Sequence, residues 1–479
     1  MLDPTGALAA PSPSSPTGGA TRGGRPGQPR TASGRRVLAG CTVILLAVTV
    51  LQRLALPLGS PVPVGMLVVL GVLGWLLLQR AVVERADATR GFLLAVAGCA
   101  TAAVAALLLG ELLSVQSLVL LLVVWCAFCF RAHPAAQHVY PRVLDRFEKI
   151  MVFFAVVGVA QVLSQFAGVW SYVDYVEEAL PPGFTFEGYN TSYPIQYGSS
   201  VIKANAFVFL EPSLFSQFLA LALLSCLVRR ARPWRVLALA AAMVCAVAGT
   251  GMLLLACGLV VLAVRRGGWW TARVAAAGAV AVTATLATPL GEIILSRTSE
   301  ATERNSSGSL RFVQPFQYIE ATWAAKPSTA LTGLGPGGAD AAADAVFAAT
   351  GLPLNFAGAP KLLLEYGVPA ALLFAAFAYL AIVRRAPSPT LAVGGLFANS
   401  LLFAGLLQPQ VLYVLLPLSA FFTGTRFEGR GGEPARLADG DVVAEVGPAV
   451  PGDGSGRLLP TLPAASPDGG LGSRPVVGA

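Results

Sequence analysis

Long apolar runs, separated by short polar breaks, repeat along the chain from Val37 to Thr425. Many approach the ~20 residues that a helix needs to cross a hydrocarbon core of about 30 Å. The pattern predicts about twelve membrane segments, near 37–57, 62–79, 91–110, 113–131, 148–171, 205–228, 234–249, 250–265, 271–294, 360–383, 389–407 and 410–425. Trp234 to Val264 is apolar throughout, yet one helix of that length would far exceed the core. Gly249-Thr250-Gly251 supplies a turn signal near its midpoint, so two short helices are expected there. The fold class is therefore an all-α polytopic membrane protein. Two long loops, about 172–204 and 295–359, fall on one side of the 37–426 core; loops of such length are usually functional or disordered. Residues 1–36 and 427–479 are rich in Gly, Pro and polar residues. Such segments bury too little to offset their ordering entropy, and both are expected to be disordered tails.

Composition sharpens this picture. The 479 residues are 55% hydrophobic and 12% charged, where a soluble domain carries about a quarter charged residues. A soluble enzyme, a secreted disulfide scaffold and a nucleic-acid-binding domain are excluded. The net charge of +8 is gathered in short loops: Arg80/Arg85/Arg90, Arg131/Arg142/Arg146/Lys149, Arg229 to Arg235, Arg265/Arg266 and Arg384/Arg385. The positive-inside rule assigns these loops and both termini to the cytoplasm, which leaves the two long loops outside. Few basic residues then lie at or near the outer face: Arg53, Lys203, Arg297, Arg304, Arg311, Lys326 and Lys361. All seven cysteines lie in apolar runs, and Cys126-x-x-Cys129 has no second ligand pair, so small apolar filler is the better reading. His133 and His138 share one basic loop. No metal site and no cofactor is expected.

Chemistry concentrates at three places. Lys203-Ala-Asn-Ala-Phe-Val-Phe-Leu-Glu211-Pro212-Ser213 puts a carboxylate at the start of a membrane helix. The residue before proline is pushed out of the helical region, so Glu211 should stand at a break. An acid at membrane depth is a functional hypothesis, with Lys203 its nearest expected partner; the simpler alternative is a helix cap. In the second long loop Arg297, Arg304 and Arg311 recur at intervals of seven residues. Asn305 to Ser309 signals a turn, with a helix expected from about Pro315 that presents Phe316, Ile319 and Trp323 as an apolar stripe. Guanidinium groups bind phosphate bidentately, although a solvated charge run explains the same spacing equally well. Thr332-Gly333-Leu-Gly335-Pro-Gly337-Gly338 follows; it lacks the ending of a phosphate-binding P-loop, but its glycines allow close backbone approach. Lys361 and Glu365-Tyr-Gly367 open the next membrane helix. Asp340 and Asp344 read as a solvated helical face.

The order Glu-Pro-Ser, Thr-Gly hairpin, Ser-x-Arg (Ser309-Leu-Arg311), Pro-x(5)-Gly-Leu-Gly and Leu-x-Glu-Tyr-Gly resembles the O-antigen ligase and repeat-unit polymerase family. It covers about 200–375 in detail, and the 37–425 core in segment count and loop placement. The resemblance implies a metal-independent glycosyltransferase at the outer face of the plasma membrane, acting on undecaprenyl-diphosphate-linked oligosaccharide. It implies membrane lipid as an environment, a flippase and a chain-length regulator as partners, and no nucleic acid. It assigns diphosphate binding to Arg311, with Arg304 and Arg297 as weaker matches; Lys203, Tyr318, Gly333, Gly335 and Lys361 are further candidate substrate contacts. The chain departs from the family in two ways. Lys203 stands where arginine is usual before Glu-Pro, and Leu354-Asn355-Phe356 lacks the histidine of ligase-like members. Without that histidine a catalytic base must come from elsewhere; Glu211 is favoured and Glu365 is the second choice. Polymerisation is the first expectation, with ligase-type transfer to a separate acceptor as the alternative. A lipid or polysaccharide transporter is a rival from another class, but no internal repeat is visible. A metal-dependent mannosyltransferase type would need acids between Pro57 and Pro63, where none occurs.

Overall fold

The computed structural model describes residues 30–269 apart from 59, 112, 187–188 and 197, together with 272–273, 276, 307–402, 407–424 and 427. Most of the expected segment 271–294, Arg297, Arg304 and most of both expected tails lie outside the described residues. The chain is mostly helical. Among the described residues six helical stretches are long and apolar enough to cross a membrane: Ser33–Val50, Ala86–Leu108, Pro134–Phe166, Pro212–Arg229, Gly249–Arg266 and Gly358–Val383. Five shorter apolar stretches, Val64–Leu78, Val115–Cys129, Pro233–Ala246, Pro389–Leu402 and Pro409–Ala420, fall at positions where the hydropathy pattern expects further segments.

The helices begin where local chemistry supplies a start. Pro stands in the first turn of α7 (Pro212–Arg229), α8 (Pro233–Ala246) and α15 (Pro389–Phe397), where its missing N–H costs nothing. Ser114 and Ser388 accept side-chain caps from Ser117 and Leu391 at the heads of α4 (Val115–Cys126) and α15, a standard N-terminal device. The expected pair of short helices is present, with α8 ending before a left-handed Val247 and α9 running Gly249–Arg266.

Several expectations need correction. α1 spans Arg30–Val50, so helix begins inside the expected tail and ends well before residue 57. Beyond it β1 (Ala55–Leu58) and β2 (Ser60–Pro63) form an antiparallel hairpin, with Ala55 opposite Pro63. β3 (Val82–Glu84) pairs with β4 (Phe130–Ala132). Among the described residues the fold is thus helical with two small strand pairs, each joining ends of apolar helices. The segment expected from residue 205 becomes helical only at Pro212, because Ala206 and Phe207 adopt positive φ.

α7 sits at the middle of the helices. It is buried on all sides and packs on α5 (Tyr140–Phe166), α8, α9 and α15. Small residues permit the tightest of these contacts. A Cβ on Gly251 or Gly258 of α9 would stand 2.5 Å from the Ser216 carbonyl oxygen or 2.2 Å from Leu224. The Gly-Thr-Gly turn therefore also lets α9 press against α7. Arg266 donates to the Leu227 and Val228 carbonyls, satisfying groups that the helix end leaves open. Glu211 accordingly stands at the head of the central helix.

Candidate functional site

The approach to Glu211 is held by polar side chains that an apolar helix would not carry without reason. Gln161 of α5 is 2% exposed; its Oε1 accepts from the Asn205 and Ala206 amides, and its Nε2 donates to Asn205 Oδ1. Asn205 also donates to the Tyr172 hydroxyl and the Thr191 carbonyl, and accepts from the Phe207 amide. Gln165 exchanges two hydrogen bonds with Ile202. These bonds satisfy a buried irregular segment that ends in two left-handed residues, Ala206 and Phe207. Arg53 donates to the Phe207 carbonyl and pairs with Asp174 at 2.6 Å. Burial pushes the Asp174 carboxyl up, but the Arg53 guanidinium and the Glu177 amide outweigh it and hold the group below its ordinary range.

Glu211 itself is extended and makes no side-chain cap for α7, which removes the simplest structural reading. Its Oε2 accepts from Ser213 Oγ at 2.7 Å, and Arg311 Nη2 lies 3.8 Å from the same oxygen. Side-chain exposures of 13% for Glu211 and 24% for Arg311 leave both reachable from solvent. Arg311 lies on α10 (Ser307–Phe312), followed by α11 (Gln314–Ala325). Tyr189 completes the group: burial first, then the Glu211 charge, pushes its phenol well above the ordinary value, while a hydrogen bond from Gln408 opposes the shift. The Asn355 amide donates to the Leu310 carbonyl at 3.5 Å, so the Leu354-Asn355-Phe356 stretch lies next to Arg311.

Three expectations about this region are corrected. The structure gives Glu211 the ion partner Arg311, not Lys203, whose Nζ lies 4.3 Å from the Tyr193 ring centroid. Helix is present from Ser307, with an interruption at Val313, so the expected break does not extend over 307–309; Asn305 and Ser306 lie outside the described residues. The apolar stripe is also rotated: Phe316 is exposed, whereas Ile319 is buried with Leu354, Phe356 and Leu364. Tyr318 packs edge-on against Phe356 at 5.8 Å.

The remaining candidates form a second, enclosed cluster. Lys361 and Glu365 lie on α14 (Gly358–Ala378), which is broken at Gly367 with φ +70°. Lys361 Nζ is 2.7 Å from Asp340 and 3.0 Å from Glu365. Glu365, 1% exposed, also accepts from the Gly337 and Ala339 amides at 3.1 and 3.4 Å. The Leu334 and Gly335 amides donate to the Leu364 and Glu365 carbonyls. Gly333, at φ +70°, passes so close that a Cβ would stand 2.3 Å from the Glu365 carbonyl. The glycine loop thus grips the helix break instead of standing open, and Glu365 has no solvent path as a base. Asp340, expected to be merely solvated, is largely exposed yet bonds Lys361.

An apolar cavity of about 200 Å³ opens beside this helix, lined by Trp125, Leu362, Leu363, Phe374 and Asn399 among others. Among the described residues no three His, Cys, Asp or Glu side chains gather as a metal site would require. Sequence reading missed Gln161, Asn205, Tyr189 and Gln408. Gln161 and Gln165 were signalled by two amides one turn apart in an apolar run, whereas Tyr189 carried no pattern of its own. Comparisons with protein-family models, curated proteins and solved structures return no match.

Proposed function

We propose that the chain is a metal-independent glycosyltransferase that polymerises lipid-diphosphate-linked oligosaccharide units at the outer face of the plasma membrane, with about twelve crossings and both termini inside. The observation that carries the reading is the Glu211–Arg311 pair. A carboxylate and a guanidinium distant in sequence meet at 3.8 Å, partly exposed, at the head of the most buried of the long apolar helices among the described residues. In the proposed step an acceptor hydroxyl oxygen attacks the anomeric carbon of the donor unit. The glycosidic bond forms as the bond to the diphosphate breaks, and the lipid diphosphate leaves with the electron pair. Glu211 takes the hydroxyl proton, general-base work typically contributing 10²–10⁴-fold. Arg311 faces the departing diphosphate, where a fixed guanidinium stabilises developing charge. The apolar cavity beside α14 supports a ligand with a hydrocarbon chain.

The test is a strain lacking this chain. Loss of long surface glycan with retention of single-unit material supports polymerisation, and retention of unlinked lipid-borne chains supports the ligase alternative. An unchanged glycan profile refutes both.

A further inference from the structure

At the other end of α7, ~27 Å from Glu211 for an 18-residue helix at 1.5 Å per residue, lies a pocket of different character. It is about 470 Å³ in volume and is lined by Lys149, Arg229, Arg230, Arg232, Arg235 and Asp145. Glu148, fully buried behind it, accepts from Arg229 and Arg235 at 2.9 Å each and from Ser225. Asp145 takes Lys149, Arg229 and Arg235. Five cations thus face two carboxylates, an excess of three positive charges. The carboxylates orient Arg229 and Arg235 from behind, as preorganised anion sites require. Arg230 and Arg232 are exposed at the rim, and among the described residues neither makes an ion pair. The volume lies within the roughly 300–1,000 Å³ usual for small-molecule sites.

We propose that this pocket binds the phosphate of an anionic phospholipid headgroup. The surroundings favour a lipid over free phosphate. Trp234 is 53% exposed beside the pocket, its ring 5.9 Å from the Arg235 guanidinium, and Leu237 one turn on is 72% exposed. A tryptophan next to an exposed leucine marks the headgroup level of a membrane, and basic pockets between membrane helices at that level hold lipid phosphates. The site is separate from the Glu211–Arg311 pair and does not depend on the reaction proposed for it.

The test uses the full chain in an uncharged detergent, with bound lipid counted by native mass spectrometry. Short-chain phosphatidylglycerol, phosphatidylcholine and inorganic phosphate are titrated in turn. Arg230→Asn combined with Arg232→Gln removes the rim charge, leaves the Asp145–Glu148 cluster intact and suits the left-handed backbone at residue 230 (φ +54°). Each basic residue near an anionic headgroup is worth about fivefold, so phosphatidylglycerol binding should weaken about thirtyfold in the double variant. Arg384→Gln with Arg385→Gln, at another basic turn, should leave it unchanged. Equal binding of the two lipids, undiminished binding by the rim variant, equal loss in the Arg384/Arg385 control, or saturation by inorganic phosphate without lipid preference would each overturn the proposal.

Discussion

Lys361→Met tests whether the buried cluster on α14 is architecture. Lys361 is 5% exposed and is the cation that faces Glu365, 1% exposed, at 3.0 Å. Methionine keeps the length and apolar stem but leaves a buried carboxylate with only the Gly337 and Ala339 amides, the latter at a long 3.4 Å. Breaking a buried pair in this way costs about 3–5 kcal/mol. Exposed Asp340 loses little, since surface pairs are worth about 0–1 kcal/mol. With an unfolding entropy of about 2.1 cal/mol/K per residue over 479 residues, the single variant should unfold about 3–5 °C lower. Lys361→Met with Glu365→Gln should recover most of that loss, because the glutamine carbonyl still accepts from both amides and no charge is left unpaired. Unfolding is read with a thiol-reactive dye on the full chain in detergent, since Cys41, Cys99, Cys129 and Cys226 are free and buried. A Lys361→Met protein that unfolds within about 2 °C of the parent, or a double variant no more stable than the single one, refutes the reasoning.

Gly333→Ala should be strongly destabilising, because positive φ alone costs about 1–3 kcal/mol and its Cβ would meet the Glu365 carbonyl at 2.3 Å; Gly71→Ala, which meets nothing within 4 Å, should be neutral or slightly stabilising by thermal unfolding. The depressed Asp174 carboxyl contributes stability that is present above its unfolded pKa of about 3.9 and lost as pH falls through the lower folded value. Asp174→Asn should therefore flatten the acid limb of a Tm–pH profile, and an unchanged limb counts against the Arg53 pair. Single cysteines at Ser200 and Ala348, both exposed, should react with an impermeant maleimide from outside intact cells; reaction only after the membrane is opened contradicts the proposed sidedness.

Helix placement was largely legible because apolar run length and proline position act locally: Pro212, Pro233 and Pro389 mark starts that the structure keeps. The turn at Gly249-Thr250-Gly251 was legible for the same reason, although the close approach of Gly251 to Ser216 was not. Pairings across the chain were not readable. Lys203 is near Glu211 in sequence, but the Asn205–Phe207 turn separates them, and Arg311 arrives from a distant loop. Burial misled at α14: Lys361 and Glu365 look like an exposed outer-end pair until the glycine loop is folded over them. The hairpin at Ala55–Pro63 escaped notice because its apolar residues continued the preceding membrane pattern.

The central claim is that Glu211 and Arg311 act together on a lipid-diphosphate substrate. It is tested most directly by polymer formed in isolated membranes supplied with lipid-linked units, at matched expression. Glu211→Gln keeps shape and hydrogen bonding but removes basicity, so product should fall by 10²–10⁴-fold. Arg311→Lys loses the bidentate fork and should be nearly as damaging as Arg311→Ala. The double variant should be little worse than either single one, as groups acting as a unit are not additive. Near-parental chain length in Glu211→Gln or Arg311→Ala would contradict the account.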